Sequence, residues 1–447
     1  MDIQAPSSAR APRWRALRAL SFYNFRVYFL GAVVSVPGGW MQSTAQAWLV
    51  LKLTDSPFAL ATVASLQFLP VMLLSLIGGA VADRFLRRKL MLFTQSCAAL
   101  QACVLGLLVL SGTISTWHIY VLAITLGISN ALEAPLRQAF ISELVPLEHV
   151  PNAIALQSMV QNLGRIVGPA IGGMAIAFLG VAAAFFINAL TFGGTVTALL
   201  LIRSAELQPI RLARKQHLLL QVREGLSYAR RTPSILFLLI AMAFIGLFGQ
   251  NFTTMVPLIS NYLVHASAAE FGILNSCLGS GSFLAAAVLT TRGIPTARRI
   301  LLAGLAFGGV LIAISLSRNL LVSSVLFACV GAAAVTFSAS INTSLQIQAP
   351  PEMRGRLASM VSLLMPSPIG PIVTGAIAAA LGVGWAVALN GLFCWVGIGV
   401  ASFYLLQARG KAGGFTLPGS HPRAEEDAAI LEGTQEALEK ENSPIGD

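Results

Sequence analysis

From Leu357 to Ala408 the chain contains no Asp, Glu, Lys or Arg. Val27–Leu51, Ser56–Ala82, Leu90–Leu132, Ile166–Ile202, Thr232–Ala269, Phe271–Thr291, Ile300–Ser317 and Asn319–Pro351 are equally free of charge. A helix crossing a bilayer needs ~20 predominantly apolar residues, so several runs are long enough for two. Those runs break near their middles, at Ser111–Gly112–Thr113, at Leu179–Gly180 and at Gly382–Val383–Gly384. The polar stretch Glu143–His149 separates two more helices. The pattern predicts an all-α membrane protein with twelve transmembrane helices, starting near residues 27, 57, 90, 117, 150, 181, 233, 268, 298, 319, 355 and 384.

Composition excludes a water-soluble globule. Charged residues make up 11% of the chain and apolar ones 56%, against ~25% charge in ordinary soluble domains. The net charge of +11 does not point to nucleic acid, because of where the charge sits. With twelve spans both termini share one side, and all but Lys52, Arg165 and Arg318 of the 29 Lys and Arg fall there. Cytoplasmic loops collect Lys and Arg, which places both termini in the cytoplasm and the chain in a plasma membrane, in multi-pass form. The expected organisation is a cytoplasmic segment 1–26, a six-helix bundle 27–202, a cytoplasmic linker 203–232 with an amphipathic helix near 217–231, a second six-helix bundle 233–408, and an acidic, largely disordered tail 409–447.

The two bundles read as pseudo-symmetric repeats. "IVGPAIGGMAIAFLG" ends at Gly180 and "PIGPIVTGAIAAALG" at Gly382; Gly168–Pro169 aligns with Gly370–Pro371, and Gly173 with Gly375. Repeated halves around a midplane site are a secondary-transporter architecture.

Two motifs carry a family resemblance. "GAVADRFLRRK" (Gly79–Lys89) resembles the loop G-x-x-x-D-R-x-G-R-R-K between the second and third spans of the major facilitator superfamily, with Leu86 where the second glycine is usual. "GRIVGPAIGG" (Gly164–Gly173) resembles that superfamily's fifth-span exporter pattern. The stretches around them are similar to the branch containing the enterobactin exporter and macrolide efflux pumps. The resemblance implies a conformational latch at Gly79, Asp83, Arg84, Arg87 and Arg88, with Asp83 meeting the start of the eleventh span. In the fifth span Gly164, Gly168, Pro169, Gly172 and Gly173 would permit a bend and a close contact with the eighth or tenth span, by the small-residue packing that membrane helices use.

Two charges lie within the spans, Glu133 and Arg165. Each costs ~2.5–3.5 kcal/mol at the bilayer centre, so each is expected to be paired and functional. Glu133 can pair with Arg165 or with Arg137 at i+4, and either a proton-coupling role or a structural ion pair fits. The resemblance also implies that Trp40, Gln42, Gln46, Gln67, Gln161, Asn162, Gln250, Asn251, Asn275, Asn342 and Gln346 face a substrate cavity, with Phe68, Phe244, Phe248 and Phe252 as an aromatic wall.

No P-loop, H-E-x-x-H or G-x-S-x-G occurs, so neither ATP-driven transport nor enzymatic chemistry is indicated. The five cysteines fall inside predicted spans without C-x-x-C spacing and read as packing residues. No cofactor, metal or nucleic-acid partner is implied. The expected protein is a monomeric exporter of an amphipathic small molecule, siderophore or drug-like, driven by proton antiport and in contact with membrane lipid. An importer or lipid flippase on the same fold, and a non-transporting membrane sensor, are the alternatives.

Overall fold

The computed structural model describes residues 13–84, 86–208, 226–364 and 367–411. All the regular structure among these is helical. A 3₁₀ segment, Arg13–Ser21, leads into α1 (Tyr23–Thr54), α2 (Pro57–Arg84), α3 (Arg87–Leu110), α4 (Thr116–Leu144), α5 (Val150–Leu179) and α6 (Val181–Leu201). A short helix at 226–231 precedes α7 (Pro233–Leu263), α8 (Ala268–Thr290), α9 (Ala297–Leu316) and α10 (Leu320–Gln348). Then follow α11 (Pro351–Leu364), α12 (Ile369–Leu381) and α13 (Val383–Lys411).

Among the described residues ten helices are long and apolar enough to cross a membrane. The first predicted span, α1, and the eleventh, divided into α11 and α12, fall outside that set. The bundle wears its apolar side chains outward. Leu30, Phe93, Leu100, Phe178, Leu190, Leu284 and Leu321 are all exposed, an apolar surface far beyond what water tolerates. Most of the linker's expected amphipathic helix, the segment 1–12 and the tail from 412 lie outside the described residues.

The helices pack in two groups. In one, α1 lies against α5 and α6, α2 against α4, and α3 against α4 and α6. In the other, α8 lies against α10, while α13 lies against α7 and α9. Two seams join the groups, α5 with α8 and α2 with α12. Burying apolar surface gives no drive between helices already in lipid, so close backbone approach and interhelical hydrogen bonds must hold the seams.

The seams are built alike. At the first, a Cβ on Gly173 would stand 2.5 Å from the Ala268 carbonyl oxygen and 3.0 Å from the Gly272 Cα. At the second, a Cβ on Gly375 would collide with the Ala61 side chain and stand 3.0 Å from the Pro57 carbonyl oxygen. Ser276 Oγ donates to the Ile166 carbonyl over 2.6 Å, and Ser65 Oγ to the Pro368 carbonyl over 2.7 Å. Ile166 and Pro368 are 202 positions apart, as are Gly173 and Gly375. Gly180 and Gly382, also 202 apart, end their helices at φ 86° and 91°, a region in which a side chain would be strained.

The seventh predicted span is not a regular helix. Five-residue π turns occupy Ile245–Gly249 and Ile259–Leu263, and the helix opens at Gln250–Asn251. Such interruptions cluster at functional sites, and this one faces the centre of the molecule.

Candidate functional site

Between the groups lies a cavity of about 610 Å³. Trp40, Ser43, Thr44, Phe68, Arg165 and Pro169 line it from the first group; Gln250, Asn251, Phe252, Phe271, Asn275, Ser338 and Asn342 line it from the second. A smaller cavity of about 360 Å³ adjoins it, shares Trp40, Ser43, Phe68 and Thr253, and runs into the first group past Gln42, Gln46, Gln67, Gln95, Asn130, Glu133, Arg137 and Gln161.

The two compartments differ in charge. Glu133 takes its i+4 neighbour Arg137 as partner, with 3.3 Å between them, and the expected alternative pair with Arg165 does not form. α4 presents Glu133 to the smaller cavity, while α5 presents Arg165 to the larger one. Among the described residues the Arg165 guanidinium makes no hydrogen bond or ion pair. Its backbone is fixed, because Gly279 of α8 packs so closely that a Cβ there would stand 3.0 Å from the Arg165 carbonyl oxygen.

The carboxamides divide by role. Gln42 is 3% exposed and bridges three helices, donating to Gln101 over 2.8 Å and accepting from Asn188. Gln67 donates to Gln46 over 3.1 Å. The amide nitrogens of Gln46 and Gln161 and the carbonyl oxygen of Gln95 are buried with no partner among the described residues. In the larger cavity Gln250 donates to Ser338 over 2.8 Å and Asn342 to the Ser338 carbonyl over 2.9 Å.

Four expected cavity residues lie elsewhere. Asn162 is exposed and donates to the Ser158 carbonyl over 2.9 Å; it sits next to Gln161, and adjacent helical residues point ~100° apart. Gln346 is exposed, one turn past Asn342, which is the last α10 residue in the larger cavity's wall. Phe244 packs on Gly397 and the Phe248 ring lies tilted against Phe393 with centres 4.7 Å apart, so both face α13 instead. Gln95, Asn130, Ser43 and Thr253 line the cavities although no expectation was attached to them. Gln95 and Asn130 carry the signal that marked Gln42, a carboxamide inside a charge-free run.

The fifth-span glycines split between two neighbours. Gly164, Gly168 and Gly172 accommodate α1, where Cβ atoms would meet Val36, the Pro37 carbonyl oxygen and Met41. Only Gly173 faces α8, so the expected contact with the eighth span runs through one glycine of the four. Of the expected latch, Gly79, Asp83 and Arg84 lie on α2, and their side chains are outside the described residues. Arg87 pairs with Glu143 at 2.6 Å, joining α3 to α4 inside one group. Arg88 caps α6, donating to the carbonyls of Leu199 and Leu200 over 2.7 and 2.8 Å and to Ser204 Oγ over 2.5 Å.

Two side-chain contacts outside the larger cavity's polar lining also cross between the groups. Tyr262, at the end of α7, donates to Asp55, at the end of α1, over 2.8 Å. Nearby Trp48 stacks on Phe271 of α8 with ring centres 6.1 Å apart.

A helical bundle sheathed in apolar side chains, in two similarly joined groups around a central cavity, defines a multi-pass membrane transporter. Residues 14–412 match the family described as transmembrane secretion effector, and the chain belongs to that family of the major facilitator superfamily. Its relatives include the uncharacterised MFS-type transporter YfiS of Bacillus subtilis, 30% identical over 62% of this chain and 67% of that one. The staphyloferrin A transporter of Staphylococcus aureus is 25% identical over 59% of this chain and 66% of its own length. The multidrug efflux pump Tap of Mycolicibacterium fortuitum is 27% identical over 78% and 88%. Among solved structures, an inward-facing bacterial homologue of the human lysosomal transporter Spinster superposes with a TM-score of 0.67 at 15% identity, covering 89% of this chain and 98% of its own. At that identity the likeness speaks to fold alone.

Proposed function

We propose that the protein is a secondary active exporter that carries an amphipathic small molecule across a bacterial plasma membrane by alternating access, in exchange for protons. The observation that carries this reading is a cavity walled by both groups of helices, which a Tyr262–Asp55 hydrogen bond also joins. The paired glycine seams, α5 with α8 and α2 with α12, allow one group to rock against the other without loss of buried hydrogen bonds elsewhere. The aromatic and amide lining suits a ligand with an apolar body and a few polar groups. The name multidrug efflux pump on one relative supports outward movement, and the name staphyloferrin A transporter on another supports a small-molecule cargo of this kind.

In this reading Glu133 is the coupling acid. It is the one acidic side chain lining either cavity among the described residues. Protonation from the far side would release Arg137 and favour discharge of the substrate, and binding of the next substrate from the cytoplasm would favour loss of that proton to the cytoplasm. Asp83 is proposed as a latch at the α2 terminus, with both chain termini cytoplasmic, twelve crossings in two six-helix halves, and a monomer as the working unit.

Inverted vesicles with an acidic lumen test the reading. They should concentrate labelled staphyloferrin A, and nigericin should collapse the gradient. Glu133→Gln should exchange substrate downhill but fail to concentrate it. Full accumulation by that variant removes Glu133 from coupling; accumulation untouched by nigericin removes protons altogether.

A further inference from the structure

We infer that the exported molecule is an anion, and that its negative group, most simply a carboxylate, seats on Arg165. The inference rests on the proposed transport role and names the substrate class for the same cavity.

Three ionisable side chains line the two compartments among the described residues: Glu133, Arg137 and Arg165. Glu133 and Arg137 neutralise each other at 3.3 Å. Arg165 is left with its charge uncompensated in a membrane interior, where a fixed charge persists only with a partner or a task. Nothing among the described residues supplies the partner. A guanidinium cannot shed its proton at any relevant pH, so the missing counter-charge must come from what enters the cavity.

The surroundings fit an anion with an apolar body. Trp40, Phe68, Phe252 and Phe271 give broad apolar faces, and the guanidinium fork matches the two oxygens of a carboxylate. Asn275 lines the same cavity from α8, one turn from the Gly279 that packs on the Arg165 backbone. Among the described residues its amide makes no hydrogen bond, which leaves an N–H donor free for the same ligand. A cation in this compartment would be repelled by Arg165.

A matched pair of probes separates charge from apolar fit: 1-pyrenebutyrate and 1-pyrenebutanol share one body and differ in the head. Binding to the full chain in zwitterionic nanodiscs, corrected with empty nanodiscs, should be saturable for both. The butyrate should bind about tenfold tighter, the worth of one charge-assisted contact. Arg165→Gln should bring the ratio of the two affinities to about one, and Arg165→Lys should retain part of it. The ratio is the readout because a general loss of packing weakens both probes together. Should Arg165→Gln yield no folded protein, the wild-type ratio and the Lys variant decide alone. Equal wild-type affinities, or an undiminished ratio in Arg165→Gln, overturn the inference and leave the transport reading standing. Failure of both probes to bind saturably removes the cavity as a binding site, and the inference falls with it.

Discussion

The Tyr262 hydroxyl and the Asp55 carboxylate, 207 positions apart, meet over 2.8 Å where α1 turns into α2 and α7 ends. Asp55 sits in the left-handed region at φ 42° as the C-cap of α1, its N–H bound to the Leu51 carbonyl. Asp tolerates that conformation better than most side chains, so the cap also aims the carboxylate across the bundle. The bond joins the two helix groups and is broken whenever they separate at this end. An exposed hydrogen bond to a charge contributes ~0.5–1 kcal/mol. Tyr262→Phe should therefore raise about two- to fivefold the rate at which an impermeant thiol reagent applied from that side labels Ser43→Cys in a cysteine-free background. An unchanged rate would mean that the bond plays no part in closure.

The glycine seam predicts an asymmetric response to a single methyl group. At Gly173 a Cβ meets backbone atoms of α8, which cannot swing aside. At Gly193 a Cβ meets nothing within 4 Å. Gly173→Ala should lower stability by about 1–3 kcal/mol through overpacking and slow transport, and Gly375→Ala should act alike at the partner seam. Gly193→Ala should be neutral or stabilising by up to ~1 kcal/mol, since alanine favours the helix. Thermal unfolding in detergent reads both, and equal melting temperatures for the three variants would contradict the packing described.

Helix starts were largely legible because their chemistry is local. Expected starts at 57, 150, 181, 233 and 268 coincide with Pro57, Val150, Val181, Pro233 and Ala268. Proline at a first helical turn and glycine at positive φ mark such boundaries in any context. The repeat of Gly168–Gly180 in Gly370–Gly382 was equally visible, and the resemblance pointed the fifth span at the eighth or tenth, but the matching seam of α2 with α12 was not read from the repeat. The other wall of each seam repeats at a different spacing, Ser65 with Ser276 and Ala61 with Gly272, so one offset cannot reveal both. The choice between Arg137 and Arg165 for Glu133 also lay beyond the sequence, since it depends on which way α5 turns its face. The π turns of α7 leave no periodic trace, and Phe244 and Phe248 were assigned to the wrong wall for that reason.

Arg88 predicts a local defect where the resemblance implied a latch. Its guanidinium holds the last carbonyls of α6 from 111 and 112 residues away, where a cation also opposes the helix dipole favourably. Charge-assisted bonds to a half-exposed group are worth ~1–2 kcal/mol together. Arg88→Gln should fray the end of α6, seen as faster amide exchange at residues 198–201, while labelling at Ser43→Cys stays as in the parent. A change confined to cavity labelling, with exchange unaltered, would restore the latch reading for this residue.

Gln42 distinguishes a helix bridge from a ligand contact. Its side chain is spent in both directions, on Gln101 and on Asn188, and Gln101 in turn donates to the Leu122 carbonyl over 3.3 Å. Gln161, by contrast, keeps a buried amide nitrogen without a partner at the cavity wall. Gln42→Leu deprives two buried amides of a partner, at ~1–3 kcal/mol by soluble-protein experience and ~0.6 kcal/mol per bond within membranes. The variant should melt earlier and yet transport its substrates in unchanged rank order. Gln161→Leu removes no hydrogen bond among the described residues, so it should melt like the parent and shift the order, because it alters what the ligand meets. Reversal of these two outcomes would exchange the roles given to Gln42 and Gln161.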